Sequence, residues 1–407
     1  MPVQPKTGRL SKGVAMPKIF SAAVLVAVMV CAGAAQAQFL VVGNDEKLAF
    51  NDGKPVLSPP GKDTVTIVSI HDAAHPKIVA SLPLENSIIG PPTNLAITPD
   101  NKLALVANSI DVVKDGDNLK NVPDTTLFVI DLTVSPPAVL TKIQLGKQPS
   151  GLAVNRAGTL ALVANRADNT VSVLTISGKS VSLVGNVALA PAGAPSEQLS
   201  AVAITPDGKH ALVAKTGINK VAVLDIDGTT VTYKGYDMIT GVFPYNVQIT
   251  ADGKLGLVAN NGNAGVADGQ ADSVAVIDLE MNPPRVIDQV MVADSPEGLA
   301  VSPTRGLAIA LATNGSGGSA PNNSFFRNEH SIAVVLRTDG KKVRKVANVE
   351  VGPLAEGVAF SPDGRYVYIE NWGGQALDVF RVDGLKLVPA GSLKLPGHPA
   401  SLRGSTP

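Results

Sequence analysis

A short segment recurs through almost the whole chain, and its spacing constrains the fold more than any other feature. Each copy has an apolar strand, a turn of the Pro-Asp-Gly type, a second apolar strand ending in Val-Ala-Asn or a variant, and a third strand. The copies begin near Leu95, Leu152, Val202, Val247, Leu299 and Val358. Their turns lie roughly 45–60 residues apart, which is the spacing of propeller blades.

The segments within each copy are short, rich in Val, Ile, Leu and Ala, and bounded by Gly, Pro, Asn and Asp, which is typical of strands and turns. In the unit that begins at Pro149, we predict strands over about 151–155, 160–164, 170–176 and 180–187. Middle strands such as Val221–Leu224 are apolar on both faces, as expected where sheets pack against each other on both sides. The sequence therefore predicts an all-β fold of four-stranded antiparallel blades.

The two ends of the chain supply the parts of one further blade. Residues 39–84 contain three strand segments but lack the first strand of the other units. Gly397–Arg403 resembles the opening of those units. We therefore predict a single seven-bladed β-propeller domain over residues 38–407, closed by a C-terminal strand that joins the N-terminal strands. Six or eight blades remain open as alternatives.

The first 37 residues have the pattern of a secretion signal. A basic segment precedes the apolar run Ile19–Val30, and Ala35–Ala37 offers small residues at the cleavage positions. Met16 is an alternative start. The run is shorter than the roughly 20 residues of a membrane-spanning helix, and the only cysteine, Cys31, falls within this segment. We expect a periplasmic or secreted protein without disulfides and without membrane insertion after signal cleavage.

The charge balance argues against polyanionic partners. The 34 basic residues equal the 34 acidic ones, and aromatic residues make up 4% of the chain. Neither a cationic field nor a stacking platform for nucleic acid is therefore expected. We expect a monomer whose partner is a small molecule or a periplasmic protein.

Four long connections between second and third strands should lie on one face of the ring. They are Asp45–Lys62, Ser109–Asp124, Asn261–Asp272 and Asn314–Glu329. Together they would form a rim around the mouth of the central channel, where repeat rings commonly bind ligands. Surface insertions without a function are the alternative.

The repeats resemble the YVTN-type propeller repeat. The resemblance is carried by Pro149-Ser150-Gly151, by Leu162–Asn165, and by Asn169–Val173, with similar segments in the other blades. It covers nearly all of the chain after the signal segment. It implies a propeller found in exported binding proteins, in surface-layer proteins and in lactonase-like enzymes, so it is specific for fold and unspecific for function.

One position of the repeat lies where each first strand would enter the channel mouth. Its seven residues are Thr93, Ser150, Ser200, Tyr245, Glu297, Glu356 and Ala400. We take Glu297, Glu356 and the nearby His398 as candidate catalytic residues, because paired carboxyls and an imidazole can perform acid–base chemistry. The candidate ligand-binding residues are Tyr245, Asn94, Asn246 and Arg403. The alternative is that the glutamates are solvated or bonded to a neighbouring backbone, and that His398 only helps to close the ring.

Metal and cofactor sites are not expected. His71 and His75 have helical i, i+4 spacing, but Pro76 and a strand context oppose a zinc helix. The loops Asp115–Asn118 and Asn260–Asp272 are rich in oxygen ligands, although neither has the calcium-loop pattern. Phosphate-binding, nucleophile-elbow and covalent-haem motifs are missing from the sequence. A haem would need His398 as its ligand.

Two functions remain open. The first is an exported binding or scaffold propeller that holds a small ligand or a protein partner through its rim loops. The second, implied by the family resemblance, is a lactonase-like hydrolase or isomerase acting on a small sugar lactone or acid at the mouth.

Overall fold

Each repeat copy folds as one four-stranded antiparallel sheet in a computed structural model that describes residues 1–3, 38–86, 91–263 and 266–405. All the strands lie within the unit Gln36–Pro407. The predicted signal peptide falls, apart from its first three residues, outside the described part of the chain. No helix long and apolar enough to cross a membrane occurs among the described residues.

The strands are numbered in chain order. Those before the third blade are β1 (Phe39–Asn44), β2 (Leu48–Asn51), β3 (Lys54–Leu57), β4 (Thr64–Ser69), β5 (Lys77–Leu82), β6 (Leu95–Ile97), β7 (Leu103–Ala107), β8 (Ile110–Asp115), β9 (Asn118–Pro123), β10 (Thr126–Asp131) and β11 (Ala138–Gln144). Blades 3 to 5 comprise β12 (Pro149–Val154), β13 (Leu160–Asn165), β14 (Thr170–Ser177), β15 (Ser180–Ala188), β16 (Leu199–Ile204), β17 (His210–Lys215), β18 (Lys220–Asp227), β19 (Thr230–Ile239), β20 (Pro244–Ile249), β21 (Leu255–Asn260), β22 (Ser273–Asp278) and β23 (Arg285–Met291). The remainder are β24 (Pro296–Val301), β25 (Leu307–Ala312), β26 (Ser331–Asp339), β27 (Lys342–Val351), β28 (Val358–Phe360), β29 (Tyr366–Asn371), β30 (Ala376–Asp383), β31 (Lys386–Lys394) and β32 (Pro399–Gly404).

These strands form seven blades, as predicted. Blade 1 has the order β32-β1-β4-β5, blade 2 the order β6-β7-β10-β11, and each later blade uses four consecutive strands. The first strands of neighbouring blades contact each other and surround the central channel. The first two long connections, expected to be loops, contain the hairpins β2–β3 and β8–β9.

The C-terminal strand closes the ring as the sequence predicts. In β32, Leu402 pairs with Val42 and Gly404 pairs with Leu40 of β1 in an antiparallel register. The Asp45 amide donates to the His398 carbonyl at 3.1 Å. Closure removes the unpaired edge that an open array would expose, so no blade is left with a free inner strand.

The tight turn after each first strand is stabilised by its own side chains. In blade 4, the Thr205 hydroxyl donates to Asp207 Oδ1 at 2.6 Å, and the Lys209 amide donates to the same oxygen at 3.0 Å. Gly208 has φ of 71°, a conformation that costs glycine little and other residues more. These local bonds explain why turns of the Pro-Asp-Gly type recur in the repeat, and they set the hairpin before any tertiary contact is made.

Apolar faces pack between neighbouring blades. One buried cluster combines Leu162 and Val171 of blade 3 with Val213 and Ala222 of blade 4. Because both faces of the middle strands are covered in this way, the alternation of polar and apolar residues is lost there and reappears only on the outer strands.

Glycine at the opening of the first strands permits close approach of the next blade. A Cβ on Gly298 would collide with the Glu356 carbonyl oxygen of the next blade, and one on Gly151 would collide with the Ser200 carbonyl oxygen of the next blade. The repeated Pro-x-Gly therefore brings the backbones of adjacent blades together at the channel mouth, next to the candidate glutamates.

Candidate functional site

The equivalent residues chosen from the repeat lie at the same end of the channel, where hydrogen bonds link neighbouring blades. Ser200 Oγ donates to the Tyr245 carbonyl at 2.9 Å, and Asn246 Nδ2 donates to the Glu297 carbonyl at 3.0 Å. The Leu152 amide donates to the Thr93 carbonyl at 2.9 Å. Because the links are made at the opening of the first strands, Tyr245, Glu297 and Glu356 are held around the same end of the channel.

Glu297 faces the channel from blade 6. The residue is partly exposed, whereas its carboxyl is buried among protein atoms. This burial raises the pKa of Glu297 to about 7, and a hydrogen bond with Asn261 opposes the rise. A glutamate in this state is divided between its acid and carboxylate forms near neutral pH, unlike the solvated glutamate that was the alternative.

Glu356, on blade 7, is more deeply buried, with 3% of its surface exposed. Burial raises its pKa well above the usual value, and the charges of Glu297, Glu370 and Asp45 raise it further. No hydrogen bond of the Glu356 side chain to another described residue is found. This raised pKa favours the protonated form of the carboxyl, which can act as an acid.

A third carboxyl, Glu370, was not predicted. It is the residue before the last one of β29 and is completely buried, which raises its pKa to about 8 although the amides of Gly357 and Ser401 oppose the rise. The Gly357 amide donates to Oε2 at 2.7 Å, whereas Oε1 has no hydrogen-bond partner among the described residues. The sequence did carry a signal, since the corresponding residue in other blades is apolar, as in Ala107, Ala164 and Ala259.

An arginine at the mouth was also missed. Arg166 follows the Asn165 that ends β13, and it is 9% exposed. Its Nη2 donates to Gln198 Oε1 at 2.7 Å, while Nη1 is buried without a partner among the described residues. Burial lowers the pKa of Arg166, and Tyr245 opposes the effect, which places the tyrosine nearby. Arginine stays charged in such surroundings, so Nη1 is available to an anion or oxyanion.

The residue after each Val-Ala-Asn segment could have revealed this arginine. At the same position, Thr216 Oγ1 donates to the Pro244 carbonyl at 2.7 Å, and Asn261 Nδ2 donates to the Pro296 carbonyl at 3.2 Å. These neutral side chains bind the opening of the next blade. Arg166, at the equivalent position, differs from these side chains in its charge and in its hydrogen-bond partner. Only an alignment of this second repeat position would reveal the difference from the sequence.

His398 is near the rim and not beside Glu297. Its Nδ1 lies 2.9 Å from both carboxylate oxygens of Glu46, and its Nε2 lies 3.1 Å from Gln375 Nε2. The ring packs on Trp372 with centroids 4.4 Å apart. With both ring nitrogens engaged at the junction of blades 7 and 1, the geometry favours the alternative in which His398 helps to close the ring.

The candidate ligand-binding residues separate into three groups. Tyr245 is partly exposed at the mouth and stacks on Phe243, with centroids 5.8 Å apart. Asn94 and Asn246 are buried, and their amides donate to the carbonyls of Ala107 and Glu297, so they hold backbone. Arg403 does not lie with the glutamates. It lines a cavity with the turn residues at the other end of the channel, because β32 runs through the ring from one face to the other.

The described residues do not form a metal site of three or more His, Cys, Asp or Glu side chains. The Asp115–Asn118 segment is the turn of the β8–β9 hairpin, where Asp115 pairs with Lys120 at 3.3 Å. In the other polar loop, burial raises the pKa of Asp272 to about 6, and the charges of Asp294 and Asp268 add to the rise. The Ser295 amide donates to Asp272 Oδ2 at 2.8 Å, and this hydrogen bond opposes the rise in the pKa of Asp272.

Part of the chain matches a known family model. Residues 129–267 match the family described as lactonase, 7-bladed beta-propeller. This segment is 139 of the 407 residues, and it contains Arg166 and Tyr245 but not the three glutamates. The resemblance to YVTN-type repeats stays a prediction. No curated protein sequence matches the chain.

Solved structures share the fold. A functionally unknown protein from Desulfotomaculum acetoxidans has 17% identity and a TM-score of 0.65, with 91% of this chain and 99% of that one covered. A periplasmic gluconolactonase from Pseudomonas aeruginosa has 19% identity and a TM-score of 0.63, covering 90% and 99%. Hydrazine synthase from Kuenenia stuttgartiensis has 18% identity and a TM-score of 0.57, covering 78% and 90%. At such identities the likeness concerns the fold alone.

Proposed function

We propose that the channel mouth opens the ring of a small sugar lactone by hydrolysis, with the buried glutamates as acid and base. The observation that carries this proposal is the pair of carboxyls on adjacent blades, of which Glu297 has a pKa raised to about 7 and Glu356 has a pKa raised well above its usual value. Two neighbouring carboxyls with different pKa values can hold one proton between them at neutral pH, as acid–base catalysis requires.

In this reaction, ionised Glu297 removes a proton from a water molecule that attacks the lactone carbonyl carbon. Arg166 Nη1 stabilises the oxyanion that develops on the carbonyl oxygen. Protonated Glu356 gives its proton to the ring oxygen as the carbon–oxygen bond breaks, so that lactone and water yield a hydroxy acid. Glu370 stays protonated during the reaction. If it ionises, its negative charge raises the pKa of Glu356.

The similarity to lactonase propellers supports this choice, although the matched segment ends before Glu297. We also propose that the chain is exported to the periplasm. The N-terminal signal pattern supports export, as does the periplasmic location stated in the name of the gluconolactonase with the same fold.

Hydrolysis of D-glucono-1,5-lactone and other sugar lactones by the purified protein tests the proposal, with the spontaneous rate subtracted. We expect Glu297→Gln and Glu356→Gln each to lower kcat by roughly 10²–10⁴. Because Glu297 must lose its proton to act as a base, the activity should fall as the pH drops below about 7. Glu350→Gln, an exposed substitution on β27, is the matched control and should leave kcat unchanged.

A wild-type rate equal to the spontaneous rate with every lactone would remove the hydrolase. Unchanged kcat in both mouth variants would instead remove the assigned roles while leaving some activity to be explained elsewhere.

Binding without turnover is a second candidate, because the rim is an ordered surface. The Gly53 amide donates to the Gly318 carbonyl at 2.9 Å, and the Asn322 amide donates to Asp52 Oδ1 at 2.7 Å. The β2–β3 hairpin of blade 1 therefore reaches the long loop of blade 6 across blade 7. Recovery of one defined periplasmic protein by the wild type, but not by a variant with residues 321–327 replaced by Gly and Ser, would support this function. Equal recovery by both would exclude the rim.

A further inference from the structure

A cavity of about 250 Å³ lies at the end of the channel opposite the glutamates. Its walls are the last residues of the first strands and the turns that follow, including Thr205-Pro206, Thr250-Ala251 and Ser302-Pro303. Arginine is the only charged residue type in this wall: Arg403 and Arg156 are present, and aspartate and glutamate are not among the described residues that line it. The glutamates of the mouth therefore have no counterpart in this wall, whose charged side chains are arginines.

Arg403 is an arginine without a counter-ion. No hydrogen bond or ion pair of its guanidinium to another described residue is found, and burial lowers its pKa to about 10. Arg403 is partly exposed and lines the cavity. A guanidinium that lines a cavity and has no carboxylate partner is expected to bind an anion well, since it presents up to five donors in a planar fork.

Arg156 lies across the open side of the same cavity. It is exposed on the turn of blade 3, and its Nη2 donates at 3.4 Å to the Ala251 carbonyl in the turn of blade 5. The side chain therefore passes the turn of blade 4, and its remaining donors can reach a ligand within the cavity. The weak bond at 3.4 Å can be exchanged for a bond to an anion without leaving a buried group unpaired.

The rest of the wall favours an anion with an apolar part. Leu152, Val154, Ile204 and Ile249 contribute apolar side chains, whereas the hydroxyls of Thr205 and Thr250 already donate to aspartates in their own turns. A fully polar anion such as phosphate would leave these apolar side chains without a contact. The volume equals about eight water molecules at about 30 Å³ each, enough for a carboxylate with a chain of a few carbons.

We propose that this cavity binds a small aliphatic monocarboxylate, with Arg403 and Arg156 on the carboxylate group and the inner strands around its hydrocarbon chain. The site is separate from the mouth and does not depend on hydrolysis there.

Isothermal titration at low ionic strength tests the site with butyrate, with neutral butyramide and with inorganic phosphate. We expect saturable binding of butyrate, and binding of butyramide and phosphate that is about tenfold or more weaker, because the charge-assisted bonds or the apolar contacts are lost. Arg403→Gln and Arg156→Glu should each weaken butyrate binding about tenfold to a hundredfold.

Two controls separate this site from others. Arg305→Gln alters an exposed turn arginine of blade 6 that does not line the cavity, and it should bind butyrate as the wild type does. Glu297→Gln should also bind butyrate normally, whatever its effect on lactones. Arg156 is on an exposed turn, so its variant remains informative if Arg403→Gln does not fold.

The proposal is overturned if butyrate fails to saturate the wild type, or if folded Arg156→Glu binds it with wild-type affinity. Phosphate binding as tight as butyrate binding would also overturn it, because the apolar wall would then have no role.

Discussion

Replacing Glu370 with glutamine should stabilise the protein at alkaline pH and change little at acid pH. Burial raises the pKa of this carboxyl from the ordinary 4.5 to about 8. Between these two pH values the unfolded chain releases the proton and the native state keeps it, so stability falls as the pH rises. Each pKa unit corresponds to 1.36 kcal/mol, so this one group lowers the free energy of unfolding by about 5 kcal/mol between pH 4 and pH 9.

The structure allows the substitution at little cost. The glutamine carbonyl can take the place of Oε2, which accepts the Gly357 amide, and its amide can take the place of Oε1, which has no partner among the described residues. The neutral side chain then stays buried at every pH.

Urea unfolding of the wild type and Glu370→Gln at pH 5 and pH 9 measures the effect. At pH 9, we expect the free energy of unfolding of the variant to exceed that of the wild type by several kcal/mol. At pH 5, the two values should agree within about 1 kcal/mol. Glu350→Gln, at an exposed position, is the control and should show no pH-dependent gain. A variant that is equally or less stable than the wild type at pH 9 would refute the reasoning.

Two further predictions concern buried contacts. Lys47→Met should lower the free energy of unfolding by about 3–5 kcal/mol, because Lys47 is fully buried in an ion pair with Asp63, whose charge would be left uncompensated. The control is Lys54→Met, at an exposed position of β3, and equal stability of the two variants would contradict the role of the pair. Leu402→Ala, in the closing strand, should lower the free energy of unfolding, measured with heat or urea, by about 2–5 kcal/mol. Leu385→Ala, at a more exposed position, should lower it by less than about 1 kcal/mol. A small loss for Leu402→Ala would mean that closure contributes little to stability.

The fold could be predicted because its determinants are local and repeated. Each turn is specified by bonds within a few residues, as between Thr205 and Asp207, and each middle strand is apolar on both faces. The repeat also predicts that Tyr245, Glu297 and Glu356 lie together at the mouth, since equivalent residues occupy equivalent places in every blade. The two rim hairpins were missed because their residues are not part of the repeat.

The candidate site was only partly predictable because its chemistry depends on contacts between blades. Glu370 lies near the end of a second strand and Arg166 lies directly after one, at positions that were not compared between repeats. His398 was placed with the glutamates by its sequence neighbourhood, but Glu46 and Trp372, which are remote along the chain, hold it at the rim.

The sequence by itself determined the blade and the way the ring closes, since these follow from periodicity and local turn chemistry, and it favoured the seven blades that the structure has. Only the tertiary structure decided which charged residues share surroundings. A strand advances about 3.3 Å per residue, so the five residues from His398 to Arg403 span about 17 Å and carry the arginine to the opposite end of the channel. The same packing buries carboxyls from different blades together, and burial is what raises the pKa of each one.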